Sequence, residues 1–80
     1  MEAACREVGC LMERLQRAIR LESEWCVKRA GYGVVADCAR LHRCKDIEAM
    51  ATAGFIRAAR NHERLRRLVN RLSARLRQAA

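Results

Sequence analysis

The sequence predicts an all-α protein, and three observations support that fold class. The 80-residue chain has no proline and only four glycines, so it holds few residues that interrupt helices. Alanine, leucine, arginine and glutamate, which rank high in helix propensity, make up more than half of it. Apolar residues also recur at steps of three and four through residues 4–26 and 47–76, the spacing of one helix face. We therefore expect an almost wholly helical chain.

The length and composition predict one small helical domain, residues 1–80, with a thin core. A chain of this length lies near the lower limit of what folds unaided. Apolar residue types make up 51% of the chain, which argues against disorder, but aromatic residues make up only 4%. A core of leucine, alanine, valine and methionine is expected to leave apolar surface uncovered. The composition therefore favours a subunit or adaptor of a larger assembly.

The first helix is predicted over about residues 3–30. Its stripe, apolar except for Glu22, consists of Ala4, Val8, Leu11, Leu15, Ala18, Glu22 and Trp25, and is widened by Met12, Ile19 and Cys26. Gly31 and Gly33 are predicted to end this helix, because Gly31 suits the left-handed position that follows a helix C terminus. Lys28 and Arg29 also favour a C terminus here, since cations interact favourably with that end of the helix dipole.

A shorter second helix is predicted over about residues 34–44, and a long third helix over about residues 46–78. The short connection makes the first two helices antiparallel neighbours. Asp46 is the best candidate for the N-cap of the third helix. The pattern does not decide whether the third helix is one piece or breaks near Gly54. The predicted architecture is an antiparallel helical hairpin followed by a long amphipathic C-terminal helix.

An apolar seam in the third helix predicts a binding surface for a partner. One helix over residues 46–78 would be about 50 Å long, whereas a small domain is about 30 Å across. The two preceding helices would leave the seam in water, which forgoes about 25 cal/mol for each Å² not buried. The predicted partner-binding residues are Phe55, Leu65, Leu68, Val69, Leu72 and Leu76. The alternative is a break near Gly54 that folds the last segment back onto the hairpin.

Basic residues are concentrated in the C-terminal third of the sequence. The formal charge is +8, yet residues 1–54 contribute nine Lys and Arg against eight Asp and Glu. Residues 55–80 contribute eight arginines against the single acid Glu63. A one-sided charge of this kind is typical of a surface that meets an acidic protein or nucleic-acid phosphates. The candidate contacts are Arg57, Arg60, Arg64, Arg67, Arg71 and Arg75.

Five cysteines are many for this length, and one pair is predicted to meet. Cys26 and Cys38 each lie six residues from Tyr32, so a turn at Tyr32 would place them opposite one another in the hairpin. They would form a disulfide in an oxidising compartment, and the alternative is two buried reduced thiols. The cysteine spacings of 4, 15, 11 and 5 residues do not form the twin-CX9C pattern of the mitochondrial intermembrane space.

Metal-binding and catalytic motifs are weak in this sequence. Cys38 and His42 have the i, i+4 spacing of a helical metal half-site that Cys26 could join, but a fourth ligand and a CxxC pair are missing. His62 lies in the apolar stripe of the third helix and is expected at an interface or in the core. No nucleophile elbow, phosphate-binding glycine loop or placed carboxylate pair is recognisable. We expect no enzyme activity, no metal and no cofactor.

Two functions fit these features. The first is a non-catalytic structural or accessory subunit whose C-terminal helix makes coiled-coil-like contacts with other protein subunits or with a copy of itself. The second is a basic RNA-binding protein of the ribosomal accessory type, because arginine outnumbers lysine by fifteen to two. No segment approaches the roughly 18 apolar residues of a membrane span. The first residues do not resemble a targeting peptide, and we expect an intracellular location, with the mitochondrion as one candidate.

Overall fold

Two long helices form the described structure. The computed structural model describes residues 2–79, and their side chains from residue 6 onward. Helix α1 spans Glu2–Leu41 and helix α2 spans Lys45–Ala79, and they pack against each other in antiparallel orientation. The hairpin is elongated, with Cα extents of 62 × 14 × 12 Å. The prediction of an all-α chain is confirmed, and residues 2–79 contain no strand.

A three-residue turn, residues 42–44, joins the helices and closes α1 with a Schellman motif. The Cys44 amide donates to the Ala39 carbonyl at 2.8 Å, and the Arg43 amide donates to the Arg40 carbonyl at 3.2 Å. Arg43 has φ 58°, the left-handed conformation that glycine usually supplies at this position. The Cys44 carbonyl accepts the first α2 bond, from the Glu48 amide at 2.9 Å. Cys44 is therefore the N-cap residue.

Two predicted helix boundaries are corrected by this turn. Asp46, predicted as the N-cap, lies inside the first turn of α2, where its charge suits the positive end of the helix dipole. The predicted break at Gly31–Gly33 is wrong, because α1 runs through it and no described glycine has a positive φ. The predicted helices 3–30 and 34–44 are thus one helix.

Close packing beside Gly33 helps α1 to continue through the Gly31–Gly33 segment. A glycine inside a helix costs about 1 kcal/mol relative to alanine, which tertiary contacts can offset. A Cβ built at Gly33 would lie 3.6 Å from the Phe55 ring, so α2 approaches α1 closely there. Tyr32, the neighbouring residue, lays its ring against Gly54 of α2. Gly33, one of the two glycines that predicted a turn, is instead a contact position.

Because the first helix is continuous, it is long enough to cover the apolar seam of α2. By the helical rise, α1 is about 60 Å long and α2 about 52 Å, so the helices match in length. Helix α2 is one piece and does not break near Gly54. The prediction that the preceding helices cannot cover the seam is wrong, since it assumed that the first helix ends near residue 30.

The core between the helices changes character along the hairpin. Far from the turn, Leu11, Ala18 and Leu72 are buried, and Leu15, Leu68, Val69 and Leu76 pack around them. Near the turn, the buried residues are all small: Ala36, Ala39, Ala51, Gly54 and Ala58. No described residue larger than leucine is buried, so the hairpin has the thin core that the composition predicted.

One polar pair lies within the helix interface. The His62 Nε2 atom is 3.5 Å from the Glu22 Oε1 atom, and both side chains are largely shielded from solvent. Glu22 and His62 each lie in the apolar stripe of their own helix, at a point where the two stripes cross. The pair is a polar contact between α1 and α2 within an otherwise apolar interface.

Candidate interaction surfaces

The predicted partner-binding seam lies inside the hairpin. Leu72 is only 2% exposed, and Leu65, Leu68, Val69 and Leu76 are half-buried beside α1. Phe55 is also half-buried, against Gly33 and with the Arg29 guanidinium 5.5 Å from its ring centroid. These residues hold the two helices together, so the assignment of the seam to an external partner is corrected.

The cysteines do not meet across the hairpin. Cys26 and Cys38 both lie in α1, twelve residues apart, which is about 18 Å along the helix axis. A disulfide requires Cα atoms within about 7 Å, so the predicted bridge within one chain is wrong. The free and exposed thiols are Cys10, Cys26, Cys38 and Cys44. Each of them is reachable from solvent.

The described part of the chain has neither a metal-binding cluster nor a membrane-spanning helix. Among the side chains that the structure describes, residues 6–79, no group of three or more His, Cys, Asp or Glu is placed to hold a metal ion. Cys38 and His42, the predicted half-site, line an open apolar depression near the turn together with Ile47. Neither α1 nor α2 has a stretch long and apolar enough to cross a membrane.

The predicted phosphate or acidic-partner residues form one row along α2, here called the arginine stripe. Its members are Arg57, Arg60, Arg64, Arg67, Arg71 and Arg75, and all are exposed. The stripe is about 27 Å long, and four of its arginines line an open depression of about 760 Å³ with Glu63 and Asn70. The Arg67 guanidinium donates to Glu63 at 2.9 Å, so one arginine has an intramolecular partner.

Aromatic residues of α1 lie beside one end of the arginine stripe. Trp25, Tyr32 and Arg57 line an open depression of about 390 Å³ between the two helices. Lys28 joins them, with its Nζ atom 4.4 Å from the centroid of the Trp25 ring. The fold thus combines aromatic and basic groups that lie far apart in the sequence.

A second apolar row on α1 was missed by the sequence analysis. We call it the α1 stripe, and its large members are Met12, Ile19, Val27, Val34 and Leu41, all exposed. Val27 is 70% exposed and Leu41 81% exposed, although both are fully apolar. The spacing of seven or eight residues between consecutive members is the sequence pattern that could have predicted this row. The sequence pattern of three- and four-residue steps places Met12 and Ile19 at the edge of the stripe that meets α2, so it does not identify this second row.

The turn end of the hairpin is also apolar. Val35 and Ile47 line a depression of about 320 Å³ whose walls expose only apolar atoms. Met50 projects from α2 close by and is 75% exposed. This loop-end depression continues the α1 stripe, because Val34 contributes to both.

The hairpin exposes more surface than a compact chain of its mass. A monomer of 9.2 kDa is expected to expose about 4,900 Å², whereas this chain exposes 6535 Å². Its radius of gyration is 17.9 Å, against about 12 Å for a compact domain of this length. The surplus of about 1,600 Å² is twice what one partner buries in a standard interface, about 800 Å².

Comparison with known proteins gives no functional assignment, so any assignment depends on the structure of the hairpin. No family model, no curated protein and no solved structure matches this chain.

Proposed function

We propose that this chain is a non-catalytic accessory subunit or adaptor that joins a larger assembly through helix–helix contacts. The observation that carries the proposal is the exposed apolar surface of the hairpin. Eleven large apolar side chains are more than a third exposed, on a chain of only two helices. Contiguous apolar surface on a soluble chain typically marks an interaction site.

The docking contacts are assigned to the outer faces of the hairpin rather than to the seam of α2. The seam residues already pack against α1, so they are not free to receive a partner. The α1 stripe and the loop-end depression are both built from helical residues, and a partner helix laid along them would meet ridges at helical spacing.

A second candidate function, binding of RNA, is favoured by the aromatic residues beside the arginine stripe. In the sequence no aromatic residue interleaves with these arginines, but the fold brings Trp25 and Tyr32 next to Arg57. Aromatic rings that stack on bases, combined with a basic track for the phosphates, are the elements of single-strand recognition. The exposed apolar residues have no role in this alternative, so it ranks second.

The two candidates are separated by the size of the native particle that contains the chain. The tagged full-length protein is expected to elute from size exclusion far above its own 9.2 kDa when cells are lysed gently. RNase treatment, or salt raised from about 0.1 to 0.5 M, should leave this elution unchanged, because apolar contacts carry the docking.

A charge variant provides the control. Arg60→Gln with Arg64→Gln and Arg71→Gln removes three exposed charges and no apolar group. The accessory-subunit proposal expects this variant to enter the particle nearly as well as the wild type. Release of the free chain by RNase, by salt or by the triple substitution would favour the RNA candidate instead. Elution of the wild type as a free chain would contradict both.

A further inference from the structure

We propose that α1 binds α1 of a second copy of this chain, so that two α1 stripes meet and the two α2 helices lie outside. The inference rests on the proposed function, since it names the first partner of the exposed apolar surface. The part of the loop-end depression that lies outside the α1 stripe, with Val35 and Ile47, remains available to other subunits of the assembly. The argument depends on the angular position, the register, the charge and the area of the α1 stripe.

The α1 stripe has the angular position needed for a second helix neighbour. Leu11 and Ala18 face α2 and are buried, while Met12 and Ile19, one residue further on in each case, are exposed. One residue corresponds to about 100° around a helix. A helix with two apolar rows separated by this angle contacts two neighbours at once, as helices do in bundles. Only one of those neighbours is present within the chain.

The α1 stripe is also complementary to itself when a second copy runs antiparallel. With a twofold axis beside residues 26 and 27, large side chains lie opposite large ones and small opposite small. The opposed pairs are Met12 with Leu41, Ile19 with Val34, and Ser23 with Ala30. Cys26 and Val27 lie beside the axis, the small residues Ser23 and Ala30 lie one turn away on either side, and the larger residues fill the space toward both ends. An interface of this kind is isologous and closes at two copies.

The charge distribution selects α1 rather than α2 for this contact. Residues 45–79 carry nine Lys and Arg against three acids, so two α2 helices repel each other. Residues 2–41 carry seven against six and are nearly neutral. Two charged residues, Arg20 and Asp37, are in line with the α1 stripe, and in the antiparallel register Asp37 lies opposite Gln16, whose amide donates hydrogen bonds. Pairing through α1 keeps both arginine stripes exposed.

The available area is sufficient for a specific dimer. From Met12 to Leu41 the stripe is about 44 Å long, and a helix is about 10–12 Å wide. The footprint is therefore about 500 Å² on each copy, or about 1,000 Å² in total, which reaches the lower bound for a specific interface. It accounts for about a third of the surplus surface of each chain, about 1,600 Å².

Sedimentation equilibrium of the purified full-length chain under reducing conditions tests the proposal. The wild type is expected to be a dimer. Ile19→Asp with Val34→Asp places charges at both ends of the contact and should weaken dimerisation by about 100-fold or more. The matched control is Ile56→Asp on the outer face of α2, because Ile56 is 47% exposed and Ile19 48% exposed. This control should remain dimeric.

Two results of sedimentation would overturn the proposal. One is a monomeric wild type at about 100 µM, a concentration at which a micromolar dimer is nearly fully assembled. The other is a dimer that survives the α1 substitutions but dissociates with Ile56→Asp, which would place the interface on α2. Circular dichroism of each variant shows whether the hairpin itself has unfolded.

Cysteine cross-linking tests the register independently of any folding defect. Two chains without native cysteines, one with Ile19→Cys and one with Val34→Cys, are mixed and oxidised. The antiparallel register predicts a cross-link between the two different chains. Cross-links only between identical chains would contradict it and indicate parallel helices, and no cross-link at all would contradict the α1 contact.

Failure of this inference is distinguishable from failure of the proposed function. Sedimentation and cross-linking use the purified chain, whereas the particle size is measured in lysate. A monomer that still enters a large RNase-resistant particle would reject the second copy and retain the accessory subunit. A dimer that elutes alone from lysate would retain the self-pairing and reject the larger assembly.

Discussion

Gly54 and Gly31 affect the stability of this hairpin in different ways. A Cβ built on Gly54 would lie 2.6 Å from the Tyr32 ring, so this position must be glycine for the ring to rest on α2. A Cβ built on Gly31 would meet no atom within 4 Å, although Gly31 lies beside Tyr32 in α1. Both residues are in helical segments, so neither contributes a left-handed conformation. Gly54 is therefore a packing residue, whereas Gly31 only weakens the helix.

Substitution of these two glycines by alanine is expected to change stability in opposite directions. Gly54→Ala gains about 1 kcal/mol of helix propensity but overpacks the Tyr32 contact by about 1–3 kcal/mol, so we expect net destabilisation. Gly31→Ala has only the propensity gain and should stabilise the hairpin by up to about 1 kcal/mol. Urea unfolding followed by circular dichroism measures both.

A third variant identifies the Tyr32 ring as the cause. Tyr32→Ala combined with Gly54→Ala removes the clash, so the second substitution should no longer be destabilising in that background. Equal stabilisation by alanine at Gly31 and at Gly54 would mean that α1 and α2 are further apart than described.

Each helix depends on the other, because neither has a core of its own. The seam of α2 and the inner stripe of α1 bury only Leu11 and Leu72 among their large residues, with half-buried neighbours around them. The turn adds strain rather than stability, since Arg43 occupies a left-handed position. The leucine-rich end of the hairpin therefore carries much of its apolar stabilisation.

Leu72→Ala is expected to destabilise the hairpin by about 2–5 kcal/mol, since it leaves a cavity at a 2% exposed position. The matched control is Leu41→Ala, because Leu41 is 81% exposed and its truncation should change the stability of a monomer by no more than about 0.5 kcal/mol. Urea unfolding at low protein concentration measures both. An unchanged midpoint for Leu72→Ala would show that the seam is free, as the sequence analysis predicted.

The whole molecule is long, thin and asymmetric in charge. Its Cα extents of 62 × 14 × 12 Å leave most side chains within reach of solvent. The net positive charge lies mainly on α2, and the nearly neutral α1 presents the exposed apolar row. We propose that the long apolar face, which the chain leaves exposed, is covered in a dimer.

The melting temperature of the wild type is therefore expected to rise with protein concentration, because dimerisation stabilises the folded chain by mass action. Thermal melts between about 1 and 100 µM would reveal the trend, and the variant with Ile19→Asp and Val34→Asp should show a weaker one. A wild-type melting temperature that is independent of concentration would contradict a folded dimer linked to stability.

Much of the local structure was predictable because local chemistry governs it. Helix propensity and the lack of proline determined the all-α class. The row of six arginines on one exposed face of α2 also follows from their spacing alone. These features depend on neighbours within one or two helical turns.

The position of the turn and the choice of the buried face were decided only by the tertiary structure. The Gly31–Gly33 segment resembles a turn more than residues 42–44 do, yet the packing of Tyr32 and Gly33 against α2 keeps this segment helical, and the bend lies at Arg43. In α1, two apolar rows lie about 100° apart, and periodicity cannot indicate which one meets α2. That choice depends on contacts between residues far apart in the chain, and it determines which apolar surface remains exposed.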